Sequence, residues 1–286
     1  MAALGQRLSA VLEVSPDFEI VVVDNSTAGD VTMSDSRIRV IRCALPGVSR
    51  ARATACMHAR GEALVCTDDD VEFAPDWPAR MAAPLLDGRL DAVAAPVRLG
   101  PEYDALRSTL LREWLAEGNL GEEVRLIGAG MAFHRRVLGF GLWEDRIGAG
   151  QPDFAFGEET LFEWMIRAAG ARIGIERAAE VVHHPDPSRT EHDHFVRIAW
   201  QKGLSDAYSA YHWLGEGMPL ARLRSLRRRL RLGIYRLRRR GRDRWDEEEL
   251  RLIESAARAA GFAMIEGQPR AYLFRPLARQ LDRTAY

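Results

Sequence analysis

Three consecutive carboxylates, Asp68, Asp69 and Asp70, follow directly on the apolar run Ala63 to Thr67 (ALVCT). Like charges at adjoining positions repel one another unless a cation or a proton comes between them. Carboxylate oxygen suits Mg2+ and Mn2+, and Mg2+ is ordinarily held by one or two carboxylates with its other positions left to water and substrate phosphates. The triplet therefore predicts a divalent-cation site facing a phosphate-bearing substrate, with a solvated acidic turn or a helix N-cap as the other reading of the same residues. A second concentration of chemistry is VVHHPDPSRTEHDH, where His183, His184, His192 and His194 fall close together. Their spacing matches no common zinc pattern, so a separate zinc site is not expected.

These side chains need elements to hold them. Leu4, Leu8, Val11 and Leu12 recur at helical spacing, and Glu19 to Val23 is a β-branched run ending in the turn signature Asp24-Asn25-Ser26. Arg37 to Arg42 predicts another strand, Pro46-Gly47 breaks it, and Ser49 can cap a helix running to about Ala59. Further strands are expected at 63–67, 91–96 and 172–176, with a helix from about Glu158 to Ala169. Strands alternating with helices point to an α/β fold, a mostly parallel sheet between helices. In such sheets ligands bind at the carboxyl ends of the strands, which sets Asp24 and Asp68 to Asp70 on one rim.

At 286 residues and 47% hydrophobic content, the chain can bury one large α/β domain with an appendage. Its formal net charge of -1 says nothing about partners. Cys43, Cys56 and Cys66 have neither metal-ligand spacing nor an even count, and read as small buried hydrophobes in a reducing compartment. With no run of about 18 apolar residues and no basic segment leading into an apolar signal core, a cytoplasmic protein is expected.

The order of these features adds a resemblance. FEIVVVDNS, followed by PGVSRARATACMHARGEALVCTDDDVEF, resembles the first half of the family 2 glycosyltransferases of the GT-A fold. GAGMAFHRRVL (128–138) resembles that family's acceptor-side loop, and FGEETLFEWMIRAAG (156–170) its base-bearing helix, over roughly residues 4 to 200 in all. The resemblance implies a nucleotide-diphosphate sugar as donor, a sugar or lipid-linked sugar as acceptor, and Mg2+ or Mn2+ as cofactor. It assigns Asp24, Arg52, Asp68 and Asp69 to the donor, Asp68 and Asp70 to the metal, and Gly130 and Glu158 to the acceptor side. Glu159 takes the place of the family's catalytic Asp, with Glu158 as its competitor. A His often completes the metal or diphosphate site after the last core strand, and His184 is chosen here over His183, since only one of two neighbours in an extended segment can face the metal. Arg189 joins Arg52 as a candidate diphosphate contact because guanidinium pairs well with phosphate oxygens; a surface ion pair is the alternative for each. Trp143, Glu144 and Asp145 fall where the family has a turn before the base helix.

The chemistry implied is displacement at the anomeric carbon with inversion, which needs a base for the acceptor hydroxyl and a charge sink for the departing diphosphate. One departure stands out: family members begin with a strand before the first helix, and this chain begins inside that helix. A gap or a substitute strand is expected between 19–23 and 63–67. The alternative function is accordingly a non-catalytic or N-terminally truncated GT-A-like protein that binds a sugar or a partner.

The division into domains is set near Gly215, giving a GT-A-like domain at 1–215 and a basic, largely helical segment at 216–286. Between Arg222 and Arg244 there are 12 Arg and the single acid Asp243, and Leu223, Leu226, Leu230, Ile234 and Leu237 recur at helical spacing. Such a basic amphipathic helix could lie on an anionic membrane surface, making the protein membrane-peripheral, or pack its Leu stripe on the catalytic domain. Nucleic acid is not the expected partner. Another helix is predicted from Asp246 to about residue 260, ended by Gly261.

Overall fold

The computed structural model describes residues 2–140, 143–239 and 246–272. These residues fall into two compact units, one within Met1–Asp145 and Glu158–Pro185, the other within Arg146–Gly157 and Asp186–Pro276. Arg240, Arg242 and Arg244 of the basic segment, and the last stretch of the predicted 216–286 domain from residue 273, lie outside the described residues.

The first unit opens with α1 (Ala2–Val14), then β1 (Ile20–Asp24), β2 (Ile38–Arg42) and α2 (Val48–His58). Leu4, Leu8 and Leu12 are buried against Ile38, Ile20 and Val22, so the helical stripe read from the sequence covers the β1–β2 pair. β1 and β2 run parallel, Ile20 opposite Ile38. Gly47 occupies the N-cap of α2, and Ser49, expected there, is buried within the first turn.

β3 (Ala63–Cys66), β4 (Val71–Glu72), α3 (Trp77–Leu86), β5 (Ala92–Ala94), β6 (Val97–Leu99), α4 (Thr109–Trp114), β7 (Met131–His134), α5 (Glu158–Ala168), β8 (Ile173–Ile175) and β9 (Val181–His183) complete the unit. They form a four-stranded sheet in the order β3-β7-β5-β8 and a three-stranded sheet in the order β4-β9-β6. The expectation of a mostly parallel sheet needs correcting in detail. β5–β8, β6–β9 and β1–β2 are parallel, but β7 lies antiparallel to both β3 and β5, and β4 antiparallel to β9. β7 comes from the segment read as an acceptor-side loop. The expectation of α/β layers with a helical C-terminal part otherwise holds. Among the described residues, β1 pairs only with β2 and β3 only with β7, so the two do not pair with each other.

Alternation along β7 builds both layers of the core. Met131 and Phe133 join Cys56, Leu64, Phe162 and Ile166 on the face covered by α2 and α5. Ala132 joins Trp77, Met81, Leu85 and Val93 on the face covered by α3. Each fully buried large side chain contributes about 1.5–3 kcal/mol.

In the second unit α6 (His192–His212), α7 (Ala221–Arg238) and α8 (Glu247–Ile265) pack together. The long α6, assigned from sequence to the first domain, thus belongs with the C-terminal helices, because its small residues match those of α8. A methyl group on Gly203 would lie 2.2 Å from the Glu254 carbonyl oxygen, and one on Gly261 would lie 2.7 Å from Ala207 Cβ. Gly261 is therefore a point of close helix contact inside α8 rather than its end. Asp246 caps α8 through the Glu248 amide, as predicted. No helix among the described residues is long and apolar enough to cross a membrane.

Candidate functional site

The turn after β3 carries Asp68, Asp69 and Asp70, and it meets the start of α5 through one guanidinium. Arg52 points inward from α2, with its side chain 9% exposed. Its Nη2 lies 3.2 Å from Asp68 Oδ1, and its Nη1 lies 3.1 Å from Glu158 Oε1 and 3.7 Å from Glu159 Oε1. The Trp143 ring lies beside it, 5.6 Å from centroid to guanidinium carbon, and itself stacks on Phe162 of α5. Burial works against the charge on Arg52, but Asp68, Glu159 and Glu158 outweigh it and hold the guanidinium charged.

One positive charge cannot balance three carboxylates, and the most buried of them keeps its proton. Burial pushes the Glu158 carboxyl up to about 8, the neighbouring Glu159 adds to the rise, and Arg52 opposes it. Glu159 is the more open of the pair, with 23% of its side chain exposed against 6% for Glu158. Its Oε1 accepts the Gly128 amide at 3.3 Å, and one turn further along α5 Glu163 Oε2 accepts the Leu126 amide at 2.7 Å. Glu159 and Glu163 thus grip the loop before β7. The sequence reading missed Glu163, although an acid four residues beyond Glu159 on the same helix face is a signal for it.

Arg52, expected to pair with a diphosphate, is engaged here by Asp68, Glu158 and Glu159. Gly130, expected on the acceptor side, lies in the core, where an added methyl group would meet Ala95 Cβ at 2.9 Å. Asp24 ends β1 with both carboxylate oxygens in use. Oδ1 accepts the Ser26 amide at 2.9 Å, Oδ2 accepts the Val31 amide at 3.3 Å, and Arg42 stands 3.1 Å away. Hydrogen bonding from Ser26, with lesser help from Val31 and Arg42 against desolvation, holds this carboxyl below its usual range. Asp69 is exposed, and its carbonyl accepts from Arg7 at 3.2 Å. Arg189 is an exposed residue of the second unit, in the 3-10 turn Pro187–Thr190.

The two neighbouring histidines part company. His183 is buried at the end of β9, between Val71 of β4 and Leu99 of β6 in register. Its Nε2 lies 3.3 Å from Asp70 Oδ1 and its Nδ1 lies 2.8 Å from the Leu115 carbonyl oxygen. His184 turns the other way, with Nδ1 2.7 Å from Glu102 Oε1 and Nε2 3.3 Å from Glu72 Oε2. The imidazole beside the Asp70 carboxylate is therefore that of His183, while His184, chosen from sequence, meets the turn only through its amide, which donates to the Asp70 carbonyl at 2.8 Å, because the register of β9 decides the parity of the strand.

A carbonyl oxygen only accepts, so Nδ1 of His183 carries the proton facing Leu115. Nε2 faces the Asp70 carboxylate, and with a cation bound there the two could act as ligands side by side. No group of three or more donors stands assembled among the described residues. A pair made of one carboxylate and one imidazole nevertheless fits an ion that takes its remaining ligands from phosphate and water.

No curated protein matches the sequence. Among solved structures, the chain is similar to a mannosyltransferase from Pyrobaculum calidifontis in complex with GDP-Man and Mn2+, at 17% identity over 93% of this chain and 83% of that one, with a TM-score of 0.47. It is also similar to glucosyl-3-phosphoglycerate synthase from Mycobacterium tuberculosis in complex with phosphoglyceric acid, at 17% identity over 70% and 74% of the two chains, with a TM-score of 0.42. The sequence pattern of glycosyl transferase family 2 matches residues 2–134, the span that holds β1, the Arg52 helix and the Asp68 to Asp70 turn. Over that span, a little under half of its length, the chain is similar to glycosyl transferase family 2.

Proposed function

We propose that this protein transfers a glycosyl group from a nucleotide-diphosphate sugar to a hydroxyl of a sugar or lipid-linked acceptor, with inversion and with Mg2+ or Mn2+. The observation that carries the reading is the convergence of Asp68, Glu158 and Glu159 on Arg52, which ties the family's metal turn to the start of the helix bearing the base. Glu159 is the base: it is the partly exposed carboxylate of the pair, while Glu158 is buried and keeps its proton below about pH 8. Asp70 and His183 would hold the cation with Asp68 alongside, and bound there it would offset the charge of the departing diphosphate.

The chain's own residues do the rest. Arg52 fixes the separation of the metal turn and α5, and the Gly128 amide orients the Glu159 carboxylate that receives the acceptor proton. Asp24, with Asp69, belongs to the donor end. Free thiols at Cys43, Cys56 and Cys66 agree with a cytoplasmic setting.

The test is thermal unfolding with a panel of nucleotide sugars, each with Mn2+ and with a chelator. A donor at a hundredfold its Kd stabilises by about 2.7 kcal/mol. Stabilisation by at least one nucleotide sugar that needs the metal, followed by release of its nucleoside diphosphate when acceptor is added, is expected. A folded protein that no nucleotide sugar stabilises would return the chain to the binding-protein alternative.

A further inference from the structure

The outward face of α7 has no role in the chemistry above. Counting about 100° per residue, Leu223, Leu226, Leu230, Ile234 and Leu237 fall within an arc of about 80°. All five are between 45% and 64% exposed. The opposite face is the one packed into the unit: Ala221 and Ser225 are buried, Leu232 and Tyr235 half-buried, and Arg228 donates to the Ser255 carbonyl of α8 at 2.8 Å. The leucine stripe is thus a second apolar face, pointing away from the helix that α7 packs on.

Arginines border the stripe on both sides. By the same count Arg224, Arg227, Arg231 and Arg238 lie along one edge and Arg222, Arg229 and Arg236 along the other. From Arg222 to Arg239 there are nine arginines and no acid. Arg236 pairs with Glu249 at 2.7 Å, Arg231 stands 3.9 Å from Glu248 and Arg229 lies over the Trp200 ring, whereas Arg222, Arg224, Arg227 and Arg238 make no ion pair among the described residues.

We infer that this face of α7 docks on an anionic lipid surface, its leucines entering the boundary of the acyl chains and its flanking arginines meeting the lipid phosphates. Arginine suits that position, since its apolar stem lies along the leucines while the guanidinium stays at headgroup depth. Charge decides against the other occupants. A second copy of the helix would set one row of arginines against another with no acid between them, and a nucleic-acid backbone would leave five leucines in the middle of the contact without an apolar partner. This inference is independent of the proposed glycosyl transfer.

The experiment is flotation of the full chain with vesicles of phosphatidylcholine alone and of phosphatidylcholine mixed with phosphatidylglycerol. Binding to the mixed vesicles only is expected, with the partition coefficient lowered at least about tenfold by the pair Leu226→Ser and Leu230→Ser. A second variant, Arg222→Gln with Arg224→Gln and Arg227→Gln, keeps the stripe and should lose the preference for the anionic vesicles. All five positions are exposed, so an unchanged melting temperature verifies the fold of each variant. Absence of binding to the mixed vesicles, or equal binding to both kinds, overturns the inference. So does a concentration-dependent dimer in light scattering that the Leu226→Ser and Leu230→Ser pair abolishes, or duplex DNA binding that this pair leaves intact while vesicle binding is nil.

Discussion

Gly128 is the point where the loop before β7 presses hardest on the site. A methyl group on its Cα would lie 1.9 Å from Arg52 Nη2, 2.7 Å from Arg52 Cζ and 3.0 Å from Glu159 Oε1. Ordinary contact distances are about 3.5–4.0 Å, so Gly128→Ala forces a relative shift of about 1.5 Å. Gly128 is not among the residues with positive φ, so the strain comes from the contact and not from the backbone. Arg52 has little room to retreat, being buried and held by Asp68 and Glu158. Overpacking of this kind costs about 1–3 kcal/mol, each kcal/mol lowering the melting temperature by about 2–4 °C in a chain of this size. A shift of about 1 Å at Glu159 should cost about 10² in turnover. The assay is a double-mutant cycle in urea. Arg52→Gln removes the guanidinium carbon and nitrogens that the methyl group would strike, so Gly128→Ala should cost less than about 0.5 kcal/mol in that background. An equal cost in both backgrounds, or none in the native one, would refute the packing of Gly128 on Arg52.

Glu159→Gln keeps the shape of the side chain and should leave donor binding intact while lowering turnover by about 10² to 10⁴; turnover retained there but lost in Glu158→Gln would exchange the two roles. Glu158 also makes a prediction in pH. Its folded pKa of about 8 lies above its ordinary 4.5, so between those values the unfolded chain releases a proton that the folded chain keeps. Stability therefore falls as pH rises from about 4.5 to 8 and this contribution is flat outside that window; Glu158→Gln lacks it, so its melting temperature should gain on the native one across the window, and parallel curves would contradict the burial argument. At the acidic turn, Asp70→Ala should abolish metal-dependent donor stabilisation and His183→Ala should weaken it by about 10–100-fold. His184→Ala should change it by less than about twofold, and a larger loss there than at His183 would restore His184 as the metal residue.

What could be read from the sequence was local. Asp68 to Asp70 sit side by side at the end of an apolar run, and α1, β1, β2, α2 and α5 announce themselves by periodicity and breakers. β4, β6 and β9 have two or three residues each, too few for alternation to register. The choice between His183 and His184 rests on how β9 is held between β4 and β6, a matter of register that no neighbour in sequence reveals. The role of Arg52 is hidden in the same way. Its partners Glu158 and Glu159 lie more than a hundred residues on, so nothing near Arg52 in sequence shows that three carboxylates surround it. Gly261 shows the limit of a punctuation rule: it resembles a helix stop and is a seam between helices.

The separate pairing of β1 with β2 sets where the first unit opens. An isolated two-stranded pair is marginal without further support, and this one rests on α1 through Leu4, Leu8 and Leu12 without a hydrogen-bonded link to the four-stranded sheet among the described residues. Asp24 stands at its end, while Asp68 to Asp70 follow a strand of the larger sheet. The amides of Val21 to Val23 should therefore exchange with solvent through a local opening that spares β5 and β7. A ligand reaching from Asp24 to the acidic turn would act as a strut between β1 and the larger sheet, and its arrival should be recorded as slowed exchange in β1.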